Sequence, residues 1–248
     1  MKIISLINQK GGTAKTTTAV NLGSALSMLG KTVLLIDLDP QANLTYSFGV
    51  RPEKGSVVEF LQTKQALPTI IVNMENLSLL PASPALADLE ISLTTKIGRE
   101  QVLKDCLSKV KGYDYVLIDC PPSLSILTVN ALNASHEVLI PLQVEVLSLQ
   151  GLNLLLDTIG EVKAVLNKDL KIRGIVPSMY DSRRKLSKEI LEELSKNTKE
   201  KVFSTVIREC VKLAEAPSFA KSIFSYSPSS NGATDFMNLA KEFLEERS

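Results

Sequence analysis

The residues best suited to chemistry are lysines, threonines and aspartates grouped in three short clusters. Residues 8–18 read "NQKGGTAKTTT" and follow the apolar run "KIISLI". A Gly-rich turn between a buried strand and a helix presents backbone N–H groups to an anion, and the helix N-terminus adds positive partial charge. Here that turn is Gly11, Gly12, Thr13, Ala14, Lys15, Thr16 and Thr17. In such a loop the lysine before the threonine pair, Lys15, reaches terminal phosphates and the Thr16 hydroxyl ligates Mg²⁺. The rival reading is an ordinary strand–helix turn with solvated lysines.

Carboxylates decide between the two. "YVLIDCPPS" leaves Asp119 at the C-terminal edge of an apolar run, where ligands of parallel sheets gather and where a carboxylate can hold Mg²⁺ through a water. "VLLIDLDPQAN" puts Asp37 and Asp39 at the end of another run, and strand alternation predicts that both point to one side. Each aspartate alone reads as a turn or cap residue. Together, at an edge shared with a phosphate loop, they read as a site. Cys120 and His136 acquire no chemistry from their surroundings.

The elements that must position these groups follow from the apolar pattern. Near-continuous runs at 2–7, 32–37, 77–81, 115–119, 137–141 and 171–177 predict strands covered on both faces. The segments between them suit helices. "TTAVNLGSALSMLG" places Val20, Leu22, Ala25, Leu26 and Leu29 near helical spacing and stops at Gly30, a C-terminal cap. Strands alternating with helices imply right-handed crossovers and an α/β fold: a doubly wound, mostly parallel sheet with helices on both faces. Residues 42–76 are less regular, with "GVRPEKGS" and "QALPT" as turn signals, and predict a surface excursion; "NGATDFMNLAKEFLEERS" predicts a closing helix.

Bulk numbers narrow the classes. The 248 residues, 44% hydrophobic, suffice for one sizeable core, so a single domain over 1–248 is expected. A net charge of +1 excludes whole-surface attraction to nucleic acid and leaves only a local patch. The three cysteines form no Cys-x-x-Cys pair, which excludes a disulfide framework or zinc knuckle. With no charged leader before an apolar core and no spanning apolar segment, a soluble cytoplasmic protein is expected.

"KGGTAKTTTAVNLGSALSMLGKTVLLIDLDPQAN", "YDYVLIDCPPSLSILTVNAL", "IVPSMYDSR" and "VKLAEAPSFAKSIFSYSPSSNGA" together resemble ParA-type partition ATPases of the Soj kind, P-loop proteins with a deviant Walker A motif. The likeness runs from residue 1 to about 240. It implies Mg²⁺-dependent ATP hydrolysis, ATP-driven homodimerisation, non-specific DNA binding on the nucleoid and release stimulated by a ParB-type partner. In that family the first lysine of the loop, matched by Lys10, reaches the nucleotide of a second subunit; from the residue alone Lys10 could equally be solvated. Asp39 matches the residue that positions the attacking water and Asp119 the Walker B acid, while Asp37 is left a supporting role. Met179 and Pro217 are implied near adenine, and Arg183 and Lys212 as DNA contacts.

Two departures stand out. Ala14 replaces the commoner Gly, so its methyl narrows the backbone's options. Arg208, Glu209 and Cys210 stand where many relatives carry Pro-Arg-Asn, altering adenine contacts. In "DSRRKLSKEILEELSKNTKEK", Leu186, Ile190, Leu191 and Leu194 predict a core-facing stripe, with Arg183, Arg184, Lys185 and Lys188 clustered at its start. Such a cluster is as easily a solvated face; the resemblance favours DNA phosphates, with no base-reading element. With the loop starting at residue 8, no preceding DNA-binding domain is expected. The chief rival is a MinD-like membrane-associated positioning ATPase, but "LAKEFLEERS" is acidic and makes a poor membrane-surface helix. A nitrogenase-type iron protein would need a second suitably placed cysteine beside Cys120. For a generic metabolic P-loop enzyme, no small-molecule pocket is signalled.

Overall fold

The computed structural model describes residues 1–52, 55–63, 70–72 and 76–245. Its strands are β1 (Lys2–Leu6), β2 (Val33–Asp37), β3 (Ile70–Ile71), β4 (Leu77–Leu80), β5 (Tyr115–Asp119), β6 (Glu137–Gln143), β7 (Lys171–Tyr180) and β8 (Ile207–Arg208). They pair into one sheet ordered β3-β4-β2-β5-β1-β6-β7-β8. Every pairing is parallel except β3 with β4, which is antiparallel. The expected doubly wound, mostly parallel sheet is what forms.

Register places the chemistry. Leu6 of β1 and Asp37 of β2 both pair with Asp119 of β5, so three strand ends finish level at one edge. The loop after β1 leaves the sheet beside both carboxylates. β1 also pairs with β6, so the chain has crossed to the other side of its first strand, which is where α/β sheets open a crevice.

Alternation along each strand feeds two cores. Ile3, Leu34, Ile36, Val116, Ile118 and Ile140 face one layer. Ile4, Leu6, Leu35, Leu117 and Leu139 face the other, against helices Lys15–Met28 and Asn231–Glu245. Helix Lys15–Met28 ends as its sequence predicts. Gly30 adopts φ 78, its N–H bonds the Ser27 carbonyl, and the Lys31 N–H reaches the Leu26 carbonyl. These two bonds satisfy the last carbonyls in a Schellman turn.

Two expectations need correction. The described residues of segment 42–76 are no surface excursion: they include helices Asn43–Ser47 and Val57–Thr63, and Leu44, Val57, Val58, Phe60 and Leu61 are buried. "QALPT" (65–69), part of "GVRPEKGS" and the last three residues lie outside the described residues. Leu186 does not join the apolar stripe of helix Lys185–Asn197. It is 55% exposed, while Ile190 and Leu194 are buried. The buried face of that helix runs through Ser187, Ile190 and Leu194 instead, one position round from Leu186. Short β3 and β8 went unsignalled, because two residues carry no periodicity.

Candidate functional site

The loop between β1 and helix Lys15–Met28 forms the floor of a cleft of about 420 Å³ lined by residues 11–17, Asp39, Gln41, Asn43, Tyr46, Met179, Leu213 and Pro217, among others. Gly12 has φ 76, and a Cβ at Gly11 or Gly12 would meet nothing within 4 Å, so the glycines leave the floor open to a ligand. Ala14 takes the left-handed region, φ 67, at the cap of the helix. That conformation costs a non-glycine residue about 1–2 kcal/mol, which is the physical content of the Gly-to-Ala departure.

Asn8, which pattern reading missed, anchors the loop at its start. Its side chain donates to the Pro141 carbonyl (2.8 Å) and accepts the Lys10 N–H (3.0 Å). Lys15 is buried, with Nζ donating to the carbonyls of Asn8 (3.0 Å) and Lys10 (3.4 Å). Burial lowers its pKa, opposed by the field of Asp119, Cys120 and Asp39. An ammonium kept in so dry a place is poised to gain from a polyphosphate.

Asp119 lies beneath this loop. Oδ2 accepts the Thr16 hydroxyl (2.7 Å), while Oδ1 is buried with no hydrogen-bond partner. Burial first, and the neighbouring Asp37 second, push its pKa well above the ordinary carboxylate range. A buried, unpaired carboxylate oxygen beside a threonine hydroxyl is an oxygen donor set of the kind that Mg²⁺ or its water shell satisfies. Cys120 is buried and its thiol is pushed up by burial, so it is a core residue.

Asp37 and Asp39 part company. Asp39 lines the cleft and Asp37 does not. Alternation holds through the strand end, since Leu38 between them joins Leu34 and Ile36 in one core layer; what separates the two aspartates is that Asp37 is fully buried while Asp39 borders the cleft. Gln41, Asn43 and Tyr46, on the segment that follows, also line the cleft; nothing in their spacing signals it.

Met179 and Pro217 stand on the far wall, Met179 with φ 55 at the end of β7. A second recess of about 290 Å³ shares Ala14, Thr17, Met179 and Leu213 with the cleft and extends to Arg208, Glu209 and Cys210. Arg208 in its wall is forked onto Asp235.

Lys10 lies outside this lining. Its Nζ donates to Glu145 (2.8 Å) and to the Gln143 side chain (3.5 Å), residues just after β6 and at its end. Arg183, Arg184 and Lys212 are exposed, and each is paired. Arg183 places Nε and an Nη on the two oxygens of Asp181 (2.9 and 3.0 Å), and Arg184 joins the same carboxylate (3.2 Å). Arg183's hydrogen bonds hold Asp181 down to about 2. Lys212 donates to Glu215 (2.9 Å). Among the described residues no helix is long and apolar enough to cross a membrane.

Comparison with known proteins gives this geometry its context. Residues 1–172 match the AAA domain family. Sporulation initiation inhibitor protein Soj of Bacillus subtilis is 47% identical over 97% of both chains. The chromosome-partitioning ATPase Soj of Thermus thermophilus is 46% identical over 97% of this chain and 94% of its own. The crystal structure of cobyrinic acid a,c-diamide synthase from Mycobacterium smegmatis with bound ATP analog and magnesium superposes with a TM-score of 0.86 at 37% identity, over 99% of this chain and 95% of the other. A phosphate-type loop backed by two acidic strand ends, in a chain matched end to end by partition ATPases, places this protein in the Soj/ParA family of chromosome-partitioning ATPases.

Proposed function

We propose that residues 1–248 act as one ATPase unit, a Mg²⁺-dependent switch that dimerises on ATP, binds DNA without sequence preference as the dimer, and lets go after hydrolysis. The meeting of Lys15, Thr16 and Asp39 on one cleft, with buried Asp119 behind it accepting the Thr16 hydroxyl, carries the reading. In it, the N–H groups of residues 11–17 cradle the phosphates and Lys15 supplies a desolvated charge to them. Thr16 and Asp119 are the residues that would hold Mg²⁺, Asp119 through water, and the ion's part is to neutralise charge on the phosphate oxygens. Met179 and Pro217 bracket the base. Asp39 orients the attacking water, since phosphoryl transfer asks mainly for positioning and charge stabilisation.

Lys10 is the residue offered to a second subunit's nucleotide, for which it must leave Glu145. Arg183, Arg184 and Lys212 contact DNA phosphates, and a dimer presents two such patches to one duplex, which raises effective affinity by linkage. The partner that stimulates hydrolysis is a ParB-type centromere-binding protein, and the place of work is the nucleoid in the cytoplasm.

The test is ATPase activity measured alone, with DNA, and with DNA plus a candidate ParB, each with and without Mg²⁺. Slow turnover that needs Mg²⁺ and rises stepwise across the three is expected. DNA affinity indifferent to ATP refutes the switch. Binding to anionic vesicles in place of DNA favours a MinD-like membrane role instead.

A further inference from the structure

Asp37 is fully buried at the end of β2, contributes nothing to the cleft lining, and yet grips the segment that carries Asp39 at both ends. Its Oδ1 accepts the Asp39 N–H (3.2 Å). Its Oδ2 accepts both the Thr45 N–H (2.8 Å) and the Thr45 hydroxyl (2.6 Å). The Thr45 hydroxyl oxygen accepts the Ala82 N–H (2.8 Å), just past β4. One carboxylate therefore ties together the exit of β2, the helix Asn43–Ser47 and the chain after β4.

Between these anchors the backbone has little freedom. Leu38 donates to the Asp119 carbonyl (3.0 Å), Ala42 donates to the Asp39 carbonyl (2.8 Å), and Ala42 sits at φ 53. The Asp39 carboxylate accepts the Gln41 N–H (2.9 Å). Backbone donors cannot rotate away as side chains can, so an ionised acceptor facing two of them fixes their directions.

We propose that Asp37 is a positioning residue for hydrolysis: by holding Asp39 N–H and Thr45 at once, it keeps the Asp39 carboxylate in a single orientation toward the cleft. This rests on the reading of Asp39 as the group that orients water. Asp37 acts through Asp39 and touches neither nucleotide nor water. A misplacement of about 1 Å costs a reaction on the order of 100-fold, so a loosened turn is felt in turnover and not in binding.

The experiment compares Asp37→Asn, Thr45→Val, Thr45→Ser, Asp39→Ala and the Asp37→Asn/Asp39→Ala double variant, with melting curves to establish folding. Asp37→Asn is expected to lower kcat on the order of 10- to 100-fold, with ATP affinity measured by titration unchanged. Thr45→Val lowers kcat in the same direction, and Thr45→Ser restores it because the hydroxyl donor returns. In the Asp39→Ala background Asp37→Asn adds no further loss. Wild-type kcat in both Asp37→Asn and Thr45→Val overturns the proposal, as does an added loss in the double variant or a matching loss of ATP binding. If Asp37→Asn does not fold, the Thr45 pair carries the test alone. Normal turnover in Asp39→Ala defeats the underlying reading of Asp39. A stalled Asp39→Ala beside normal Asp37→Asn and Thr45→Val defeats only the role of Asp37.

Discussion

Glu145→Gln should strengthen ATP-driven dimerisation. Lys10 must leave its own chain's Glu145 before it can serve a neighbouring subunit, so the pair opposes the dimer. The opposition is small. The two side chains are 41% and 47% exposed at a separation of 2.8 Å, and water and salt screen such a pair to about 0.2–1 kcal/mol. Two lysines are released per dimer, so about 0.4–2 kcal/mol is returned, equivalent to a roughly 2- to 30-fold tighter dimer. Glutamine keeps the shape and an acceptor oxygen, which limits the change to charge. Sedimentation equilibrium with a slowly hydrolysed ATP analogue reads the constant directly, and the gain should shrink with added salt. A dimer weakened by the substitution refutes the reasoning, because Glu145 would then be holding the dimer together. An unchanged constant at low salt refutes it too.

Cys210 is the half-buried cysteine, while Cys106 and Cys120 are buried, and it lines the recess continuous with the cleft. A thiol-alkylating reagent should therefore modify Cys210 first, as read by peptide mass, and ATP at about ten times its Kd should slow that roughly tenfold by mass action; unprotected modification places the base elsewhere. Asp181→Asn should tighten DNA binding at low salt and steepen log K against log salt by about 0.9 for each arginine turned to phosphate. Because Asp181 titrates at about 2, that gain should not vary between pH 6 and pH 8, a range on the order of the ordinary assay window; weaker binding instead shows that Asp181 presents the arginines. Asp37 bears on stability as well: burial raises its pKa from 3.8 to about 6. A raised carboxyl pKa means that the folded chain holds the proton more tightly, so this group's contribution favours folding below the unfolded value and is lost as pH climbs to the folded one. At about 1.4 kcal/mol per pH unit, Asp37→Asn should gain roughly 3 kcal/mol on wild type as pH rises through that window and keep that gain, without further change, above it, measured by urea unfolding at several pH values; a flat difference shows that the group does not titrate there.

Much of this was legible because the signals are local and chemical. Gly-rich loop, buried strands and Asp119 each announce themselves through residue types within a short span, and the parallel sheet follows from alternation of apolar runs. The departures have separate causes. Alternation places Asp37 and Asp39 on one side but does not reveal that Asp37 is fully buried while Asp39 borders the cleft. In segment 42–76 the turn residues interrupt the apolar periodicity, yet Phe60 and Leu61 find the core through tertiary contact. Gln41, Asn43 and Tyr46 reach the cleft only because the turn folds back, a placement set by Asp37 and Thr45 rather than by spacing.

The two lysines of the loop differ in what holds them, and that difference orders the proposed cycle. Lys15 is buried on two carbonyl oxygens, neutral partners that a polyphosphate outbids easily. Lys10 is held by a full carboxylate, as are Arg183 and Arg184 by Asp181 and Lys212 by Glu215. Each exposed cation assigned to an intermolecular phosphate thus already has an anionic partner in its own chain. Docking to a second subunit or to DNA exchanges one ion pair for another, and only the difference between them is gained. Nucleotide capture by Lys15 involves no such exchange of charges. In the proposed cycle, ATP binding therefore comes first and strongly, while the proposed dimer and DNA contacts stay weak enough singly to be undone when the γ-phosphate is lost. A net charge of +1 and the pairing of Lys10, Arg183, Arg184 and Lys212 within their own chain suit the release that this cycle requires.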